Sequence, residues 1–299
     1  MQCAACRRDA VVFQPYSGKY LCPVHFTKDF EAKAKRAIRK NRWLLPGDHT
    51  AVVLTGDAAQ AALLVFLHKL TKDRRDVRLS AIVIDEGPKD RAAMEAARHV
   101  AEQCGVEIFS GSFSARYGTT REQIIQKEGA ASAARIYRIL SDDLAAEIAA
   151  EHGITRCAVA TTVEERALHF FSDLLAGSVE KILFAPGTIG LARIPVIRPF
   201  MDIPKTEVYR YAELTGAGTV STGTTVPLGD SDAESVLAAY DKRHPATKFA
   251  LANLAGTLVG IAGKNRTEGK TCPDCGGTLE NETCYACSIR KKYSGETNP

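Results

Sequence analysis

No apolar run in this chain is long enough to cross a bilayer. The longest spans residues 61–67, whereas a spanning helix needs about 20 apolar residues. The opening Met1-Gln2-Cys3-Ala4-Ala5-Cys6 has neither a basic lead nor a greasy stretch. No secretory signal is therefore expected, and no membrane partner; the expected location is cytoplasmic. Charge of one sign is also scarce: 39 Lys and Arg against 35 Asp and Glu leave +4. That excess is too small to establish a nucleic-acid partner, although local clustering can still create one. An apolar share of 45% with 25% charged residues excludes a wholly disordered chain of 299 residues.

Cysteine is nearly missing from the long middle, where only Cys104 and Cys157 occur, yet 7 of the 9 cysteines lie near the ends. The first group reads Cys3-x2-Cys6-x15-Cys22-x2-His25, and the second Cys272-x2-Cys275-x8-Cys284-x2-Cys287. Two ligands two residues apart can face one cation through a tight knuckle, and a second pair completes a tetrahedron. Pro273, Gly276 and Gly277 suit such a turn. Two structural zinc ions are expected, closed to substrate; disulfides are the bland alternative, disfavoured by the reducing cytosol. Of the seven histidines, His25 has a ligand context.

Residues 26–43 repeat apolar side chains at helical spacing and carry Lys28, Lys33, Lys35, Arg36, Arg39, Lys40 and Arg42. This is a basic amphipathic helix, read either as a solvated face or as a contact for a phosphate backbone. After it, strand patterns at residues 50–55, 79–85, 106–109, 156–161 and 194–198 alternate with helical patterns at 58–70, 89–103, 132–152, 163–175 and 204–214. Such alternation predicts βαβ units around a parallel sheet, with ligands beyond the carboxyl ends of the strands. Those ends are Thr55-Gly56-Asp57, Asp85-Glu86-Gly87 and Thr161-Thr162. A Gly- and Thr-rich loop at 212–227, short helices at 233–240 and 248–259, and a frayed tail from Arg290 complete the expectation.

The order of parts resembles the TtuA-type tRNA 2-thiouridine synthetases of the PP-loop, or N-type ATP pyrophosphatase, superfamily. Carrying the resemblance are both knuckles, Ile38-Arg39-Lys40 before Pro46-Gly47-Asp48, and Ile84-Asp85-Glu86-Gly87. Arg198-Pro199-Phe200, Ile203-Pro204-Lys205-Thr206-Glu207-Val208 and His244-Pro245-Ala246-Thr247-Lys248-Phe249 extend it to about residues 1–290. The resemblance implies an adenine nucleotide alpha hydrolase-like, Rossmann-like α/β core flanked by zinc knuckles. It also implies tRNA and ATP as ligands, and an Fe-S cluster held by three core cysteines. The units follow: a zinc finger at 1–26, a basic helix and linker at 27–48 and the PP-loop-like domain at 49–215. A helical region at 216–270, a second finger at 271–290 and a tail at 291–299 complete them.

The residues that should perform the family's chemistry are replaced. The family loop S-G-G-K-D-S cradles phosphate on glycine amides and balances its charge with lysine. Here it reads Thr55-Gly56-Asp57-Ala58-Ala59-Gln60, so Ala58 stands in the place of the lysine. Thr55, Gly56, Asp57 and Asp85 are what remains of a nucleotide site. Asp57 should cap the following helix and occupy the amides that phosphate needs. Two negative charges about 4 Å apart repel by roughly 4 kcal/mol near a surface. The family's C-x2-C-G-x2-R-R stretch matches Ala131-Ser132-Ala133-Ala134-Arg135-Ile136-Tyr137-Arg138, with alanine at both ligand places; the third cysteine falls near Thr225-Val226-Pro227. G-H-N-x-D-D becomes Ala160-Thr161-Thr162-Val163-Glu164-Glu165, where the glutamates read as first-turn charges.

The leading expectation is a degenerate homologue that binds tRNA through Lys33, Lys35, Arg36, Arg39, Lys40 and Arg42, or a sulfur-carrier or thiolase partner, with a homodimer also in view. Two alternatives stand beside it. One is an active ATP-dependent tRNA sulfurtransferase with an altered nucleotide site; the other is a non-enzymatic, zinc-dependent RNA-binding module. Cys104 and Cys157 are expected to be packing thiols.

Overall fold

The structure, a computed structural model, describes residues 1–87, 91–183, 188–217, 231–264, 272–275, 279 and 284–293. The chain opens on an antiparallel hairpin, β1 (Val12–Gln14) and β2 (Lys19–Leu21), and enters α1 (Pro23–Lys40). β3 (His49–Leu54), α2 (Ala58–Thr71), β4 (Arg78–Asp85) and α3 (Arg91–Gln103) are two successive strand–helix units. β5 (Glu107–Ser112) leads into α4 (Phe113–Tyr117), α5 (Arg121–Glu128) and the long α6 (Ala130–Glu151). There follow β6 (Arg156–Ala158), α7 (Val163–Leu175), α8 (Val179–Leu183), β7 (Thr188–Ile189), β8 (Ile194–Ile197) and α9 (Lys205–Thr215). The last elements are α10 (Ser231–Asp241), α11 (Thr247–Lys264) and α12 (Tyr285–Tyr293).

All six residues of β3 are buried, the pattern of a strand covered on both faces. It lies at the centre of a sheet ordered β5-β4-β3-β6-β8-β7, parallel except for the antiparallel β7–β8 edge. Strand order reverses on the two sides of β3, which opens a crevice at the carboxyl ends of β3 and β6. One face of the sheet packs under α1, α2, α3 and α9, with Phe26, Phe30, Phe66, Leu67, Phe200 and Tyr211 buried. The other packs under α6, where Leu140, Leu144, Ala145 and Ala149 are buried with Ile82, Ile84 and Cys157. Phe30 stacks on Tyr211 at 4.1 Å and meets Phe200 edge-on at 4.9 Å, which fixes α1 against α9.

The parallel α/β core, with cysteine clusters near both ends, is the expected architecture. Its details differ in four places. The hairpin β1–β2 lies between the ligand pairs of the first knuckle, and α1 starts at Pro23, inside the first unit's expected bounds. α4 and α5 fill a stretch with no expected helix; α5 is held by a capping box, Thr120 with Gln123. β7 adds an antiparallel edge. Finally, the frayed tail expected from Arg290 is helical as far as Tyr293. Arg290 reaches Asp143 of α6, and Tyr293 is buried and donates to Glu128. Among the described residues no helix is long and apolar enough to cross a membrane.

Candidate functional site

Asp57 caps α2. Its Oδ1 accepts from the Ala59 amide at 2.6 Å, and its Oδ2 accepts from the Tyr209 hydroxyl at 3.0 Å. Gln60 folds back over the same loop: Oε1 accepts from the Thr55 amide at 2.6 Å, while Nε2 donates to Thr55 Oγ1 at 3.0 Å. The loop's own side chains thus take up amides that a phosphate would need. Ala58 and Ala59 are buried in the apolar core. Gly56 adopts φ +98°, and a Cβ there would meet Ala93 at 2.8 Å. This glycine lets α3 pack closely. Asp57→Ala is expected to cost about 1 kcal/mol, read as a fall of about 3 °C in thermal denaturation.

Carboxylates and lysines share the crevice around this loop. Thr162 and Glu165 form a capping box at the start of α7. Glu164 accepts from the Lys205 amide at 2.8 Å and from Lys248 Nζ at 2.9 Å. Burial raises the Glu165 carboxyl to about 7, with Asp57 and Glu164 adding to the rise against Lys205. Burial and the Asp57 carboxylate likewise push the Tyr209 hydroxyl up. On the neighbouring strand Asp85 turns inward to its own loop, accepting from the Gly87 amide at 3.0 Å. Buried Glu86 is tied to Tyr137 and lies 3.5 Å from Arg121. Thr55, Gly56 and Asp57 therefore sit together, with Asp85 on the next strand.

Ala134 lies on the first half of α6, half-buried, and Ala131 belongs to the same helix. Alanine offers no thiolate for iron, and residues 225–227 lie outside the described residues. The two remaining middle cysteines do not substitute. Burial raises the Cys157 thiol to about 12, helped by Asp142, and burial raises Cys104 as well. Cys157 belongs to the core under α6, and Cys104 packs against the core on the other face. The sequence therefore does not fit a three-cysteine iron–sulfur site.

The terminal cysteines do converge. Cys3, Cys6, Cys22 and His25 place their ligand atoms within 4.8 Å of one another, as do Cys272, Cys275, Cys284 and Cys287. Two sulfurs 2.3 Å from one tetrahedral ion stand about 3.8 Å apart; the pairs Cys6–Cys22 and Cys272–Cys287 are 3.7 Å apart and Cys275–Cys284 is 3.5 Å. His25 Nδ1 is 3.3 Å from Cys22 and 3.5 Å from Cys3. A disulfide needs about 2.05 Å, so these are ligand spacings, and none of the nine cysteines forms a disulfide. Burial opposes ionisation of Cys3, yet backbone amides of Cys22, Ala5 and Cys6 bring its thiol down to about 6. Arg290 ties the second knuckle to the core, donating to Cys287 and to Asp143. Arg135 covers the Tyr285 ring at 4.1 Å.

The basic helix divides. Lys33 turns inward, 3.0 Å from Glu207 of α9 and 2.5 Å from the Tyr16 hydroxyl, so it is a structural cation. Lys35 is half-buried beside Glu31 at 3.6 Å. Arg36, Arg39 and Lys40 are exposed at positions i, i+3 and i+4 of one helix face, and Arg42 is exposed just beyond. Sequence reading alone missed a separate group, Arg138, Asp142, His169 and Arg198, drawn from α6, α7 and the end of β8. Only tertiary structure brings these four together.

Comparison with known proteins bears on this arrangement. Residues 26–221 match the PP-loop domain, and residues 2–27 match the N-terminal LIM domain of 2-thiouridine synthetase TtuA. The tRNA 2-thiolation protein NcsA of Haloferax volcanii is 24% identical, covering 97% of this chain and 98% of its own length. The tRNA-5-methyluridine(54) 2-sulfurtransferase of Thermus thermophilus is 26% identical over 72% of this chain and 67% of its own. Among solved structures, the U34-tRNA thiolase NcsA from Methanococcus maripaludis with its [4Fe-4S] cluster superposes with a TM-score of 0.78. It is 21% identical, and the match covers 98% of this chain and 96% of that one, so it establishes the fold.

Proposed function

This chain belongs to the TtuA-type, PP-loop family of tRNA thiolation proteins, and from that premise we propose that it works in tRNA thiolation as a binding subunit without the family's chemistry. One observation carries the reading: Asp57 and Gln60 close the nucleotide loop with its own side chains. The family resemblance agrees with it, setting Ala131 and Ala134 of α6 at the places of two cluster cysteines. The scaffold beside them is intact. Both four-ligand sets hold zinc in this reading, because closed tetrahedral cysteine-rich sites in a reducing compartment are structural zinc sites. The first joins the hairpin to α1 and the second fastens α12 to α6.

The tRNA lies against the exposed face of Arg36, Arg39, Lys40 and Arg42, with Lys35 at its margin. Sulfur and ATP chemistry come from a partner, a true thiolase or a sulfur carrier. Measuring tRNA binding and nucleoside composition in one preparation tests this. Salt-sensitive binding without 2-thiouridine is expected; the absence of any tRNA binding would end the reading.

A further inference from the structure

Arg198 stands immediately after β8, at the carboxyl edge of the sheet where such folds bind ligands. Arg138 and Asp142 sit one turn apart on α6, and His169 comes from α7. Arg138 Nη1 lies 3.3 Å from His169 Nε2. Among the described residues, neither guanidinium has a carboxylate within 4.0 Å, and the side chain of half-buried Arg198 makes no hydrogen bond.

Among the described residues, every other half-buried arginine has a carboxylate oxygen within 4.0 Å. Arg166 donates to Met201 O, Asp202 and Ala252 O, Arg156 pairs with Asp48 at 2.7 Å, and Arg290 pairs with Asp143. Leaving a guanidinium half-buried and unpaired is costly. A planar fork with five donors is matched by the oxygens of a phosphate.

We propose that Arg138 and Arg198, with His169 beside them, form a receptor for a phosphoryl oxyanion, separate from the closed loop at Asp57. The charges facing this group support it. Asp142 feels both arginines, and burial raises it to about 6 against the pull of Arg138 and Arg198, with Asp143 raising it further and Arg290 opposing. His169 is held neutral, down to about 4, by burial and then by Arg138 and Arg198. Burial also lowers Arg198, with Asp142 opposing and Arg138 and Arg166 contributing. An arriving oxyanion would relieve the mutual repulsion of the arginines. The proposal goes beyond the tRNA reading and does not depend on the α1 face.

The probe is inorganic pyrophosphate, titrated calorimetrically into the full-length protein at low ionic strength. Wild type is expected to bind, Arg138→Gln and Arg198→Gln each to weaken binding at least tenfold, and Arg198→Lys to fall between. Arg78→Gln removes an exposed charge at the opposite end of the sheet and should bind like wild type. Should Arg198→Gln fold poorly, the exposed Arg138 carries the test, with melting temperature as the fold control. Failure of wild type to bind pyrophosphate, or equal weakening by Arg78→Gln, overturns the proposal. Parallel tRNA titrations identify the source of the oxyanion. A tRNA affinity lowered by Arg138→Gln and competed by pyrophosphate indicates an RNA phosphate, and an unchanged one indicates a free phosphate or nucleotide; either supports the receptor.

Discussion

Replacing Cys22 by serine is expected to lower the melting temperature by about 10 °C and to release one of two zinc ions. Cys22 is fully buried, is the residue before α1, and shares the main core with Phe26 and Phe30. Loss of its sulfur opens the Cys3–His25 site and unties the hairpin that carries Gln14 and Tyr16. Those two side chains hold Asp29 of α1 at 2.8 Å and Glu207 of α9 at 2.5 Å. The damage therefore spreads from the metal site into the packing of α1 on α9. Metal loss belongs with the few substitutions that cost roughly 4 kcal/mol or more, and in a chain of this size that corresponds to about 10 °C. Calorimetry with elemental zinc analysis reads both quantities, and Cys104→Ser serves as the cysteine control that keeps both zinc ions. An unchanged melting temperature with zinc lost would show that the site is not structural.

The second large effect is on RNA. Neutralising Arg36, Arg39, Lys40 and Arg42 together is expected to weaken tRNA binding about a hundredfold near physiological salt. Four lost phosphate contacts also reduce the slope of log K against log salt by about 3. The change should be uniform across tRNA sequences, since these residues would meet the backbone. Lys33→Gln should behave in the opposite way. It strips Glu207 of its ammonium partner and lowers stability while leaving the salt slope alone. Fluorescence titrations over a salt series separate the two. If the fourfold variant keeps its slope, the basic face does not bind RNA.

These contrasts show what could be read from the chain alone. The knuckles were legible because paired ligands at fixed short spacing have one geometric use, and βαβ alternation was legible because β3, β4 and their helices are long and strongly patterned. The capping role of Asp57 followed from its position before α2. The hairpin was hidden by strands of three residues each. α5 is short and mostly polar, although its Thr120-x-x-Gln123 box was a usable signal. The inward turn of Lys33 depends on Glu207, 174 positions away, and no helical spacing reveals it. The meeting of Arg138 with Arg198 is likewise a product of the sheet order, which brings the end of β8 alongside α6.

Chemistry at the closed loop decides whether this chain thiolates tRNA or only binds it. Full-length protein, purified without oxygen, is incubated with tRNA, magnesium, ATP and sulfide, and the digested nucleosides are quantified by mass spectrometry. No 2-thiouridine above a protein-free control is expected, because Asp57 and Gln60 fill the phosphate cradle and α6 lacks its thiolates. Repeated, ATP-dependent turnover to 2-thiouridine by this chain alone would contradict it.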